Sequence, residues 1–126
     1  PEAIVGSTRM KAGTATKLAL NTITTATMIR LGKVYGNLMV DLRATSRKLE
    51  DRSSRIIEAL TGLDRTPAED LLAAADGRVK TALAMHGMKV DRQTAEQRLE
   101  ACDGFLAECL ERFPPPPEDG TGEPEA

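Results

Sequence analysis

The longest apolar stretch of the chain lies near its start. Residues 13–31 hold Leu18, Leu20, Ile23, Met28, Ile29 and Leu31 among Ala and Thr, with only Lys17 and Arg30 charged. A helix built from that stretch is apolar round most of its circumference and should be buried on more than one side. A chain of 126 residues has little with which to bury it, so either a second subunit or a further part of its domain is required. Gly32 and Gly36 bracket a break. Tyr35, Leu38, Met39 and Leu42 then fall at i, i+3, i+4 and i+7, the spacing of one face of a helical turn or two. Thr45-Ser46 offers an N-cap to a strongly charged helix with the stripe Leu49, Ile56, Ile57 and Leu60, and Gly62 stands at the C′ position. The opposite face, Arg47, Lys48, Glu50, Asp51, Arg52 and Arg55, mixes both signs and reads as solvated.

From Thr66 the pattern shortens. Thr66-Pro67-Ala68-Glu69 has the form of a capping box with Pro at the first helical position, followed by Leu71, Leu72 and Ala75 and closed by Gly77. Residues 78–86 supply Val79, Ala82, Leu83 and Met85, with His86 in the last turn and Gly87 as the expected stop. Asp91 is the N-cap of the next helix, whose inner face carries Leu99 and Cys102; Gly104 breaks it before Phe105, Leu106, Cys109, Leu110 and Phe113. Short helices with short joints predict a small bundle of three or four helices. The prolines at 114–117 end all helix, and the acidic tail of residues 114–126 reads as disordered. The expected fold is therefore all-α: a long buried N-terminal helix, a charged helix, a three- or four-helix bundle and a tail.

Composition narrows the partners. With two Phe, one Tyr and no Trp, the core must come from Leu, Ile, Val, Met and Ala, which suits close-packed helices better than strands. A net charge of -2 without a clustered basic footprint gives no case for nucleic acid. No uncharged apolar run reaches the length of a membrane span and no secretory leader opens the chain, so a cytoplasmic location is the default. Cys102 and Cys109 read as reduced core thiols, and a metal site would need more ligands than these two and the lone His86. No cofactor is implied.

One segment has a functional shape. Gly6-Ser7-Thr8-Arg9-Met10-Lys11 combines a glycine that allows close backbone approach, two hydroxyls and two cations, at the mouth of the long helix. Unpaired N–H groups and the helix dipole make such a mouth a seat for an anion, although the Gly-Lys-Ser/Thr spacing of a Walker loop is absent. A capped helix start with incidental charges is the alternative. The preceding residues 1–6 read as the end of a strand-to-helix connection whose strand is not in the chain.

The run Pro1-Glu2-Ala3-Ile4-Val5-Gly6-Ser7-Thr8-Arg9-Met10-Lys11-Ala12-Gly13-Thr14-Ala15-Thr16-Lys17 resembles the signature of the N-acetylmuramic acid 6-phosphate etherases. These belong with the glucokinase regulatory proteins among the sugar isomerase (SIS) fold families. The likeness continues through Met28-Ile29-Arg30-Leu31-Gly32-Lys33-Val34-Tyr35-Gly36-Asn37-Leu38-Met39-Val40-Asp41 and Arg43-Ala44-Thr45. Residues 62–110 resemble the family's C-terminal helical module.

The resemblance implies a lyase of cell-wall amino-sugar catabolism. Such enzymes split the D-lactyl ether of N-acetylmuramic acid 6-phosphate into N-acetylglucosamine 6-phosphate and D-lactate, using two Glu from stretches with no counterpart here. It implies that residues 1–62 are the helical end of an SIS-type phosphosugar domain and residues 63–113 a small bundle module. It further implies that Ser7, Thr8, Arg9, Lys11 and Glu2 line the phosphosugar site, with no catalytic residue in this chain. Thr8 and Arg9 are the first candidates for phosphate contacts. The partners expected are a phosphorylated amino sugar and either a second copy, as a homodimer, or a missing N-terminal α/β segment. A stand-alone phosphosugar-binding or regulatory module without catalysis is the alternative.

Overall fold

A computed structural model describes residues 2–116, so the greater part of the expected disordered tail lies outside the described residues. The described chain is mostly helical, with six helices and one small two-stranded hairpin, which bears out the all-α expectation. Its first element, α1 (Lys11–Arg30), runs for 20 residues, a length of about 30 Å at the usual rise. Four threonines along it, Thr16, Thr22, Thr24 and Thr27, donate their hydroxyls to the carbonyls of Ala12, Leu18, Leu20 and Ile23. Their polar groups are thereby satisfied inside the helix. The helix expected to be buried is nonetheless uncovered within this chain: none of its residues is buried, and Leu18 and Ile23 are each 62% exposed. The bundle lies beyond the end of α1, so no other element of the described chain runs along it to cover it.

The helical turns expected after α1 do not form. Residues 34–39 form not helical turns but an antiparallel hairpin, β1 (Val34–Tyr35) paired with β2 (Leu38–Met39), in the register Val34 to Met39 and Tyr35 to Leu38. Gly36, at φ 59°, takes the first central position of the two-residue turn, where a left-handed backbone matches the twist of the strands. Four apolar residues at helical spacing were outweighed by that turn.

Ser46 caps α2 (Arg47–Thr61) by accepting the Leu49 N–H at 3.4 Å, and Gly62 closes it in the left-handed conformation, both as expected. Ile56 and Ile57 face inward against α3 (Arg65–Ala74) and α4 (Val79–Met88), with α5 (Arg92–Ala101) and α6 (Leu106–Arg112) completing four short helices. Ala68, Leu72, Val79, Met88, Leu99, Leu106 and Cys109 share the resulting core. Asp91 caps α5 by accepting the Thr94 N–H at 3.3 Å.

Two boundaries differ from expectation. The box at Thr66 does not form, because α3 starts at Arg65 with Asp64 before it, and Glu69 turns to the Arg65 guanidinium instead of back to the helix start. Gly87 does not stop α4, which runs on to Met88 and ends at Lys89. A Cβ on residue 87 would stand 2.5 Å from Leu110 Cδ2, so this glycine serves close packing of α6 on α4. Cys102 and Cys109 are free and buried, as read from the sequence, and Cys109 Sγ contacts Met88 Sδ at 3.7 Å.

The joint between α1 and the bundle is fastened at two points. Gly32 is buried against the Gly104 carbonyl and the Phe105 ring. Asp41 pairs with Lys33 at 2.6 Å and Lys80 at 3.4 Å, while Lys80 Nζ also donates to the Gly104 carbonyl at 3.0 Å. No helix among the described residues is long and apolar enough to cross a membrane.

Candidate functional site

The loop before α1 is built on a turn. The Ser7 N–H donates to the Ile4 carbonyl at 3.1 Å, and Gly6 stands at φ 78° in the third position. That position of a type II turn calls for glycine because a side chain there would be strained. The chain then folds back onto the first turn of α1, where the Thr8 carbonyl lies 3.2 Å from the point a Cβ on Gly13 would occupy.

Met10 precedes α1 without a side-chain cap. Glu2 does that work from outside: its Oε2 accepts the Lys11 N–H at 3.1 Å and its Oε1 accepts the Ala12 N–H at 2.9 Å. A carboxylate is favoured there by the helix dipole and by N–H groups that the helix itself leaves unpaired.

The five residues expected at the site are thus neighbours in one loop but not equally placed. Arg9 and Lys11 share a shallow groove of about 550 Å³ with Met10, Thr14, Ala15 and Leu18. Thr8 is exposed and Ser7 half-buried, and neither belongs to the lining of that groove. Glu2, also half-buried, is turned to the helix mouth. Arg9 has no ion-pair partner among the described residues. Among the described residues the loop therefore sets the Arg9 and Lys11 cations along one shallow groove and leaves the Ser7 and Thr8 hydroxyls beside it.

A second groove, of about 710 Å³, escaped the sequence reading. Arg43, Arg47 and Arg65 line it together with Glu50, Asp51, Glu69 and Asp76. Arg65 binds Asp51 at 2.8 Å and Glu58 at 3.3 Å as well as Glu69, and Arg43 binds Asp76 at 2.8 Å. The hydrogen bond to Glu69, and after it the one to Asp51, raise the Arg65 pKa above its ordinary value. The groove is closed by its own ion pairs and reads as the lacing of α3 to α2. Its residues come from three separated stretches, so only the mixed signs on α2 hinted at it.

No family model matches the chain. Comparison with curated proteins is decisive instead. Over 111 residues, 88% of this chain, it is 55% identical to the N-acetylmuramic acid 6-phosphate etherase of Salinibacter ruber. Over 110 residues, 87% of the chain, it is 54% and 53% identical to the etherases of Deinococcus radiodurans and Rhodopirellula baltica. This chain is similar to a part of the N-acetylmuramic acid 6-phosphate etherases. It spans 36% of the length of each of those three relatives. The likeness to the etherases read from the loop and the following helices is therefore borne out. Matches of this extent, at 87–88% of the chain, embrace most of the bundle as well as most of the N-terminal part.

Proposed function

We propose that the chain is the C-terminal segment of an N-acetylmuramic acid 6-phosphate etherase and supplies one wall of its phosphosugar site. The observation that carries this reading is identity of 53–55% to etherases over 110 residues or more. In this reading residues 1–62 are the helical end of the SIS-type sugar domain, and residues 63–113 are a bundle module that shares α2 as its wall. The ligand is a phosphorylated amino sugar.

Ser7, Thr8, Arg9, Lys11 and Glu2 form the wall. Hydroxyls of Ser7 and Thr8 donate to phosphate or sugar oxygens, and the Arg9 fork meets the phosphate charge in the geometry that favours bidentate pairing. Splitting an ether by removing a proton beside it needs two acid–base groups held at one sugar carbon. Glu2 is committed to the helix mouth, and in this reading the catalytic carboxylates come from stretches of the etherases that have no counterpart in this chain. The uncovered α1 fits the same reading, since an upstream α/β segment would cover it, with a homodimer partner as the other candidate for its apolar faces.

A chimera tests the proposal. The matching stretch of the Deinococcus radiodurans etherase is replaced by this chain, and D-lactate release from N-acetylmuramic acid 6-phosphate is measured. Release by the chimera, with none from the 126-residue chain alone, is the expected result. A folded chimera that binds the substrate and releases nothing would instead favour a binding or regulatory module.

A further inference from the structure

The mouth of α1 already holds an anion. Glu2 takes the N–H groups of both Lys11 and Ala12, and the Thr14 N–H is taken by the Met10 carbonyl at 3.0 Å. Between Glu2 and Ala12 the chain reverses at the turn of residues 4–7, so the carboxylate clasps the loop into a ring closed on the helix. Ser7 closes that turn, and Thr8 and Arg9 lie on the arc between it and the clasp. A free phosphate arriving at the same two N–H groups would have to displace a tethered carboxylate that is held there at no translational cost.

We infer that Glu2 is a positioning residue of this site. It serves as the resident anion of α1, keeps the loop closed, and turns the ligand phosphate away from the helix N–H groups towards Arg9 and the Ser7 and Thr8 hydroxyls. The inference rests on the phosphosugar reading of the loop for the identity of the ligand, but the clasp itself does not. Two consequences separate this arrangement from a simple dipole seat. Phosphate recognition depends on the Arg9 side chain rather than on backbone groups. Removing the Glu2 charge does not empty the helix mouth but opens it to the ligand, because Gln keeps the length of the side chain and offers one acceptor oxygen where two were used.

Amide chemical shifts of the whole 126-residue chain report on both places at once. The probes are inorganic phosphate and N-acetylglucosamine 6-phosphate, with far-UV circular dichroism to check that α1 is retained. In the unaltered chain either probe shifts the amides of Ser7, Thr8 and Arg9 and leaves those of Lys11 and Ala12 in place. In Glu2→Gln the shifts at Lys11 and Ala12 rise several-fold. In Arg9→Met the response of Ser7 and Thr8 is lost while Lys11 and Ala12 stay quiet. Equal response of Lys11 and Ala12 in the unaltered chain and in Glu2→Gln, or no response in either, overturns the inference. If Lys11 and Ala12 open in Glu2→Gln while Ser7, Thr8 and Arg9 are silent in every variant, the clasp stands and the phosphosugar reading fails.

Discussion

Lys80 Nζ stands 3.4 Å from Asp41 Oδ1, joining the strand-side joint to α4 across a gap of thirty-nine positions in sequence (80 less 41). Burial would raise the Asp41 pKa, but the hydrogen bond from Lys33 and the charges of Lys80 and Lys33 outweigh it and hold the carboxyl below its ordinary 3.8. A carboxyl depressed in the fold contributes stability above its unfolded value, and that contribution is lost as pH falls through the lower folded value. Asp41 is 37% exposed, so solvent screening keeps the contribution modest. Asp41→Asn should cost about 0.5–1 kcal/mol near neutral pH. Urea unfolding of the two proteins at pH 7 and in acid below the folded value checks this: the gap should close in acid.

Gly87 and Leu110 form a second coupled pair. An added Cβ would meet Leu110 Cδ2 at 2.5 Å, yet that methyl ends a flexible side chain and can turn aside. In the Leu110→Ala background, Gly87→Ala should stabilise the bundle by about 0.5–1 kcal/mol, the ordinary helix preference for Ala over Gly. With Leu110 in place the gain should vanish or reverse. A double-mutant cycle by thermal or urea unfolding should therefore return a coupling of about 1 kcal/mol, and additivity would contradict the packing account.

The buried thiols make a third prediction. Burial, and next the neighbouring Cys102, push the Cys109 thiol up to about 11 from its ordinary 9.0. Native Cys109 should resist alkylation at pH 8, and its modification should follow the urea unfolding curve, since the thiolate is the reactive form. The sign of the pH effect follows from the same shift. The fold keeps its proton while the unfolded chain loses it, so stability falls as pH rises from about 9 towards 11.

α1 sets a fourth expectation, for association. Leu20 and Ile29, 56% and 52% exposed, lie on opposite sides of the helix and neither is covered within the chain. Contiguous exposed apolar surface of this kind seeks a partner. Sedimentation of the 126-residue chain at micromolar concentration should show species larger than the monomer. Ile23→Glu with Ile29→Glu should shift the population towards monomer without melting the bundle, which α1 does not help to build. A clean monomer of the unaltered chain would overturn the claim that α1 needs covering.

What could be read without coordinates was local in origin. Ser46, Gly62 and Asp91 announce helix ends because a cap acts within three or four residues, and the stripe Leu49, Ile56, Ile57 and Leu60 announces a face because helical period is a property of one segment. The glycine turn and the hydroxyl-and-cation run before α1 belong to the same class, and so does the likeness to the etherases. The tertiary structure decided the rest. Leu110 of α6 packs where a side chain on residue 87 would stand, and Arg65 at the start of α3 reaches Asp51 and Glu58 of α2, contacts between elements that no local rule supplies. The groove of Arg43 and Asp76 joins positions 33 apart, a separation no spacing rule reaches. At the loop the division is sharpest. The sequence marks the mouth of α1 as a place for an anion, and folding puts the chain's own Glu2 there, because a tethered carboxylate reaches two N–H groups that no helix carbonyl takes before any ligand does.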